Sequence, residues 1–208
     1  RDLLISNGFP RDITDHDFAA LMRDSVHLLP DEVLLERIAS VKLHNYAYRN
    51  QLDTPGGIPN YTNVSEEWGI KEPSFSMGSV YADLDNDGDL DFIQNNMDDS
   101  ALVYCNTVVE RKQVNSNWLY LDLQGSSKNV NGLGAIVEIY HDGQQQMWEN
   151  TPYRGYLSSV QMGMHFGLGQ AGLLDSIRIE WAEGTVQVLY SVPSNQKLVL
   201  DFKNSAPG

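Results

Sequence analysis

From Asn117 onward the leucines fall on every second position. "NWLYLDLQ" sets Leu119, Leu121 and Leu123 against Trp118, Tyr120 and Asp122, the alternation of a strand with one buried face. "AIVEIYHDGQQQMWEN" reads as a hairpin turning at Asp142-Gly143, and "SIRIEWAEGTVQVLYSV" as a second turning at Glu183-Gly184. Both dipeptides supply a residue that tolerates positive φ where a tight turn demands it. "QKLVLDF" is a closing strand. Short strands with regular turn signals predict a β-sandwich or barrel over residues 113–208.

The N-terminal part has a different rhythm. "DLLISNG" is a short strand ended by Asn-Gly. Thr14 or Asp15 can then cap a helix carrying Phe18, Leu21 and Met22 at i, i+3, i+4. Pro30 interrupts, and "PDEVLLERIAS" restarts with proline in the first turn and acids beside it, as a helix N-terminus prefers. The expectation is a short helical insertion that packs on something else, within a first region of residues 1–59. From Leu52 the chain runs through loop-like "DTPGGIPNYTN", and residues 60–112 then read as short strands on both sides of an acidic loop.

Charge narrows the class of partner. The 208 residues carry a formal net charge of −14, which argues against nucleic acid or an anionic membrane surface. Cations, basic partners or plain solubility are favoured. The one cysteine, Cys105, excludes an internal disulfide framework and is expected to be a small buried hydrophobe. No apolar run approaches the ~18–20 residues of a membrane span, so no insertion is expected. The chain opens at "RDLLISNG" without a methionine, as the interior of something longer would, so localisation is not read from the terminus.

The acidic loop carries the chemistry. "YADLDNDGDLDFIQNN" spaces its carboxylates as Asp83-x-Asp85-x-Asp87-Gly88-x-x-Asp91, with Asp89 between. Alternating acids let a coiled loop turn oxygens inward, and Gly88 permits the sharp bend. Position seven, Asp89, can offer its carbonyl, and Asp91 closes the shell from the next strand. Ca²⁺ takes six to eight oxygens at ~2.3–2.6 Å, whereas Mg²⁺ keeps its waters and suits such a cage poorly. Without a cation, mutual repulsion would raise the carboxylate pKa values or open the loop. An EF-hand is excluded, because its twelfth position should be a bidentate Glu and here it is Gln94, between β-like flanks.

"NVSEEWGIKEPSFSMGSVYADLDNDGDLDFIQNN" resembles an FG-GAP/VCBS repeat, the unit of integrin-like β-propellers. The resemblance implies a calcium loop between two strands of a blade. Asp83, Asp85, Asp87 and Asp91 would be side-chain ligands and Asp89 a carbonyl ligand. "DLLISNG" from Asp2 echoes "DFIQNN" from Asp91, as a truncated second copy would, and one and a half units cannot close a propeller. The later region is similar to the ASPIC/UnbV domain, often found C-terminal to such repeats. The residues that carry this are Asn117-Trp118-Leu119, Gly132-x-Gly134-Ala135, Gly155-Tyr156-Leu157-Ser158, His165-Phe166-Gly167-Leu168-Gly169 and the Trp181…Gly184…Val186-Gln187 hairpin. Many members carry Asp-Pro ahead of "HFGLG"; this chain has "SVQMGM".

Other motifs read as structural. "GLGQAG" formally fits G-x-G-x-x-G, yet "LLDSIRIEW" after it is a strand rather than the helix a dinucleotide site requires. His165 reads as a satisfied structural histidine and His16 as a solvated residue at a helix start. The tryptophans read mainly as packing, with Trp148, Tyr153, Arg154 and Tyr156 as a candidate sugar- or peptide-binding platform.

The fold class expected is mainly β: partial propeller blades with a short helical insertion, then a β-sandwich or barrel. The function expected is a noncatalytic, calcium-binding module of an extracellular or cell-surface protein, periplasmic or outer-membrane associated if bacterial. Its partner would be a protein or carbohydrate. The alternatives are part of a secreted polysaccharide-acting enzyme, with two facing carboxylates in a cleft, or a structural spacer whose one ligand is Ca²⁺. Asp85→Ala is expected to lower the melting temperature in Ca²⁺ and leave it unchanged in chelator; equal loss in both would show that something else stabilises the loop.

Overall fold

A computed structural model describes residues 2–12, 15–25, 30–51, 57–108 and 116–208. Thr14 and most of the "DTPGG" loop lie outside these. In chain order the elements are β1 (Leu3–Ile5), α1 (His16–Ser25), α2 (Asp31–Glu36), β2 (Leu43–His44), β3 (Tyr46–Asn50), β4 (Tyr61–Asn63), β5 (Pro73–Ser74), β6 (Ser76–Ala82), β7 (Asp91–Asn96) and β8 (Leu102–Tyr104). There follow β9 (Asn117–Gln124), β10 (Ile136–His141), β11 (Gln144–Glu149), β12 (Met164–Gly169), β13 (Leu173–Glu180), β14 (Thr185–Pro193), β15 (Gln196–Asp201) and β16 (Ala206–Pro207). The protein is mainly β with two short helices, and no closed propeller or barrel forms among the described residues. None of those helices is long and apolar enough to cross a membrane.

The chain divides into two compact units. The first comprises residues 1–79, 93–103 and 155–157; the second comprises 80–92, 104–154 and 158–208.

In the first unit Asp15 caps α1, its carboxylate accepting the Phe18 N–H at 2.9 Å. Phe18, Leu21 and Met22 are half-buried along one stripe. Helix α2 begins behind Pro30, whose carbonyl accepts the N–H groups of Val33 and Leu34, and it buries Leu34. Strands run β1-β3-β4 in one sheet and β2-β5 in another. The interior here is partly polar: the buried Asn45 amide nitrogen lies within hydrogen-bond distance of Ser74 Oγ, Ser76 Oγ and Gln94 Oε1. Such a network tolerates little rearrangement, because each buried polar atom depends on its neighbours for partners.

The second unit holds two sheets, ordered β11-β10-β13-β14-β16 and β12-β9-β15. The hairpins turn where the dipeptides predict. His141 pairs with Gln144, and Asp142 and Gly143 both take positive φ, 49° and 73°, as a tight two-residue turn requires. At the second, Trp181 N–H donates to the Thr185 carbonyl and Gly184 N–H to that of Trp181. Strand β15 pairs parallel with β9, so the closing strand lies beside the first one of the unit. The glycines of "HFGLG" sit at a bulge, where the β9–β12 register shifts between Gly167 and Gly169. Cys105, expected to be buried, is exposed: β8 ends at Tyr104, and the residue falls beyond the pattern that would have turned it inward.

One hydrophobic cluster draws on both sheets: Leu119, Leu121 and Leu123 from β9, Val137 and Ile139 from β10, Met164 and Phe166 from β12, and Ile177 and Ile179 from β13. Trp181 packs edge-on against Phe202 with ring centroids 5.4 Å apart. Ile177, wholly buried, is central to this cluster. Ile177→Ala is expected to cost about 2–5 kcal/mol through lost burial and a residual cavity, read as a lower urea midpoint with an unchanged m-value.

Candidate metal centre

Strands β6 and β7 are neighbours in one sheet, and residues 83–90 form the acidic loop between them. Its coil is built by the aspartates themselves. The Asp87 N–H donates to Asp85 Oδ1 at 3.3 Å, and the Asp89 N–H to Asp87 Oδ1 at 2.9 Å. These side-chain-to-backbone bonds replace a regular ladder. Asn86 and Gly88 take positive φ, 64° and 99°, which asparagine tolerates and glycine adopts without strain. Asp91, buried at the head of β7, braces the loop: its Oδ2 accepts the Leu84 N–H at 3.0 Å and its Oδ1 the Asn106 N–H at 2.9 Å.

Asp83, Asp85 and Asp87 each bring a carboxylate oxygen within 4.8 Å of the others. Asp91 is bound to backbone instead, and Asp89 contributes its N–H to the turn; neither belongs to that group of three. Asp83 Oδ1 and Asp87 Oδ2 are buried without a hydrogen-bond partner, and the Asp83 side chain is 9% exposed. An unsatisfied buried acceptor costs about 1–3 kcal/mol, more when charged. Two such oxygens beside a third carboxylate fit a hard cation that binds oxygen. Asp83, Asp85 and Asp87 could therefore hold a metal ion.

The loop rests on the outer face of the three-stranded sheet of its own unit. A Cβ at Gly88 would collide with the Trp118 indole, so the turn fits there only without a side chain. The Gly88 carbonyl accepts a hydrogen bond of 2.7 Å from His165 Nε2; a carbonyl can only accept, so the proton is on Nε2. Trp118 and His165 stack at 6.0 Å with an interplanar angle of 16°. The pleat explains why these residues meet. Tyr120 on β9 pairs with His165 on β12 and with Lys197 on β15, so the three share one row, and Trp118 lies two residues along the same face. The Lys197 ammonium reaches Asn86 Oδ1 at 2.8 Å and lies 3.7 Å from Asp83 Oδ2.

Burial pushes the His165 imidazole below its ordinary range and Lys197 adds to this, while the Gly88 carbonyl and Asp83 oppose it. Tyr120 is pushed up by burial, then by Asp122 and Asp83; its hydroxyl donates to the Met162 carbonyl at 2.9 Å.

Sequence reasoning passed over Lys197 and read Trp118 and His165 as packing residues. One signal was present. Trp118 and Tyr120 occupy the strand face opposite the leucines, and two aromatics on a nominally wet face need a cover. In the other candidate cluster, the Arg154 guanidinium lies 4.8 Å from the Trp148 ring centroid, and its Nε donates to the Tyr81 hydroxyl at 2.8 Å. Tyr153 is 75% exposed, and its carbonyl accepts from Arg154. Tyr156, 70% exposed, falls in the first unit.

Comparison with known families bears on the sheet that carries this face. The family model described as ASPIC and UnbV matches residues 125–207. That stretch is an ASPIC/UnbV domain. No curated protein matches the chain. The ASPIC/UnbV domain supplies β12 and β15, and with them His165 and Lys197, whereas Trp118 and Tyr120 lie on β9 just before the matched residues.

The lowered His165 pKa fixes a sign. The unfolded chain binds this proton more readily than the folded one, so the stability it contributes is complete above about pH 6.5 and is lost as pH falls below that. In chelator, wild type is expected to lose more stability than His165→Gln between about pH 7.5 and pH 5.5, measured by urea unfolding. Equal losses would assign the pH dependence to groups other than His165.

Proposed function

We propose that the chain is a noncatalytic, calcium-stabilised binding module of an extracellular or cell-surface protein. The observation that carries this reading is the pair of buried, unpartnered carboxylate oxygens on Asp83 and Asp87. In this reading residues 60–112 are an FG-GAP/VCBS-type blade unit, and the ASPIC/UnbV domain is a β-sandwich that follows it. Strand flanks on both sides of the loop support the blade assignment. A single core shared by a five-stranded and a three-stranded sheet supports the sandwich.

Calcium here is structural. It neutralises three converging carboxylates and holds closed the loop that joins β6 to β7. For extracellular modules the expected Kd is on the order of 10⁻⁴–10⁻³ M, which suits a calcium-rich exterior. Trp148 with Arg154 across its face, and the exposed Tyr153 beside them, support a protein or carbohydrate ligand on the β-domain. An aromatic face paired with a guanidinium offers stacking and hydrogen bonding together.

The deciding experiment is a thermal melt in chelator, in about 10 mM Ca²⁺ and in about 10 mM Mg²⁺. At about 10–100 times its Kd the ion stabilises by roughly 1.4–2.7 kcal/mol, so Ca²⁺ alone is expected to raise Tm by roughly 3–10 °C. Identical melts in all three would remove the metal, and with it the chemical basis of the reading.

A further inference from the structure

We propose that the outer face of the β12-β9-β15 sheet is the second half of the metal site: His165 and Trp118 position the loop, and Lys197 lowers its affinity for the ion. The inference rests on the calcium reading of the loop.

The positioning half follows from the two contacts on Gly88. The residue stands between Asp87 and Asp89, at the bend that turns the loop back on itself. Trp118 fills the space a side chain would take, and His165 Nε2 holds the carbonyl at 2.7 Å. With its carbonyl bound, the peptide plane after Gly88 cannot rotate freely. The Asp89 N–H, which closes the turn onto Asp87 Oδ1, belongs to that same plane. Holding it therefore holds the Asp87 carboxylate toward Asp83 and Asp85. The entropy of ordering the loop is met before the ion arrives, which is how preorganisation raises affinity.

The opposing half is electrostatic. Lys197 is tethered by Asn86 Oδ1 at 2.8 Å and lies 3.7 Å from Asp83 Oδ2. Its ammonium also lies 5.7 Å from the centroid of the Tyr120 ring, whose negative face favours a cation there. In the metal-free loop this charge offsets part of the carboxylate repulsion. Toward an incoming dication it is a like charge beside one of the ligands. The side chain is 47% exposed, so screening reduces the effect without abolishing it. Removing the ammonium should destabilise the metal-free chain and tighten its grip on calcium.

The two halves thus carry opposite signs, which a residue serving only as packing would not show. Calorimetric titration of the whole chain with Ca²⁺ tests this on wild type, His165→Ala, His165→Gln and Lys197→Met, with melts of each in chelator. Losing the imidazole is expected to weaken binding about tenfold, and the glutamine, whose amide can donate to the same carbonyl, to recover most of it. Lys197→Met is expected to bind about three- to fivefold more tightly and to melt lower in chelator. Wild-type binding with every variant within about twofold would overturn the inference and leave the calcium reading intact. No calcium uptake by wild type would instead overturn the calcium reading first. Should His165→Ala fail to fold, Lys197→Met decides: its site is half-exposed, and unchanged or weaker binding refutes the proposal.

Discussion

Three carboxylates held within 4.8 Å of one another are the constraint around which the acidic loop and the sheet face beneath it are arranged. Such a group is unfavourable on its own, and each surrounding feature reduces its cost or holds it in place. The aspartates cap one another's backbone, so the repelling side chains are also the braces of the loop that gathers them. Asp91 spends both oxygens on backbone N–H groups, which fixes where the loop starts and where β7 begins. Lys197 supplies one positive charge at the rim. What remains unsatisfied is local: one oxygen on Asp83 and one on Asp87.

The loop does not stand on its parent strands alone. Its bend at Gly88 is pressed against Trp118 and bound by His165, residues of a different sheet and far along the chain. This explains an apparent anomaly of β9. A half-buried strand should turn polar residues away from its leucines, yet Trp118 and Tyr120 lie there. The acidic loop lies against that face, so these aromatics are half-buried rather than wet. It also gives the ASPIC/UnbV domain a physical role beyond that of a neighbour: strands from this domain contribute groups that contact the candidate metal loop.

Much of the architecture was legible in the chain. The alternation of Leu119, Leu121 and Leu123, the turns at Asp142-Gly143 and Glu183-Gly184, and the cap at Asp15 are local signals. Each reflects a preference that a few neighbouring residues decide. The acid spacing at Asp83, Asp85 and Asp87 is local too, since a coiled loop with a carboxylate at every second residue brings them together wherever it sits. Cys105 shows the limit of such reasoning, because composition said buried and the end of β8 left it exposed.

The sequence by itself determined the acid spacing that gathers Asp83, Asp85 and Asp87, where the strands of the second unit run and which side of β9 enters the core, because these depend on spacing and side-chain period. Only the tertiary structure decided that Tyr120, His165 and Lys197 share one row and that Gly88 lies against Trp118. Those neighbours are separated by 30 residues or more, and their meeting depends on strand order: β15 returns beside β9, parallel to it, and β12 flanks it on the other side. No local pattern encodes that order. It is set by how two sheets bury one core, and the side chains left on the outer face then come together as a consequence.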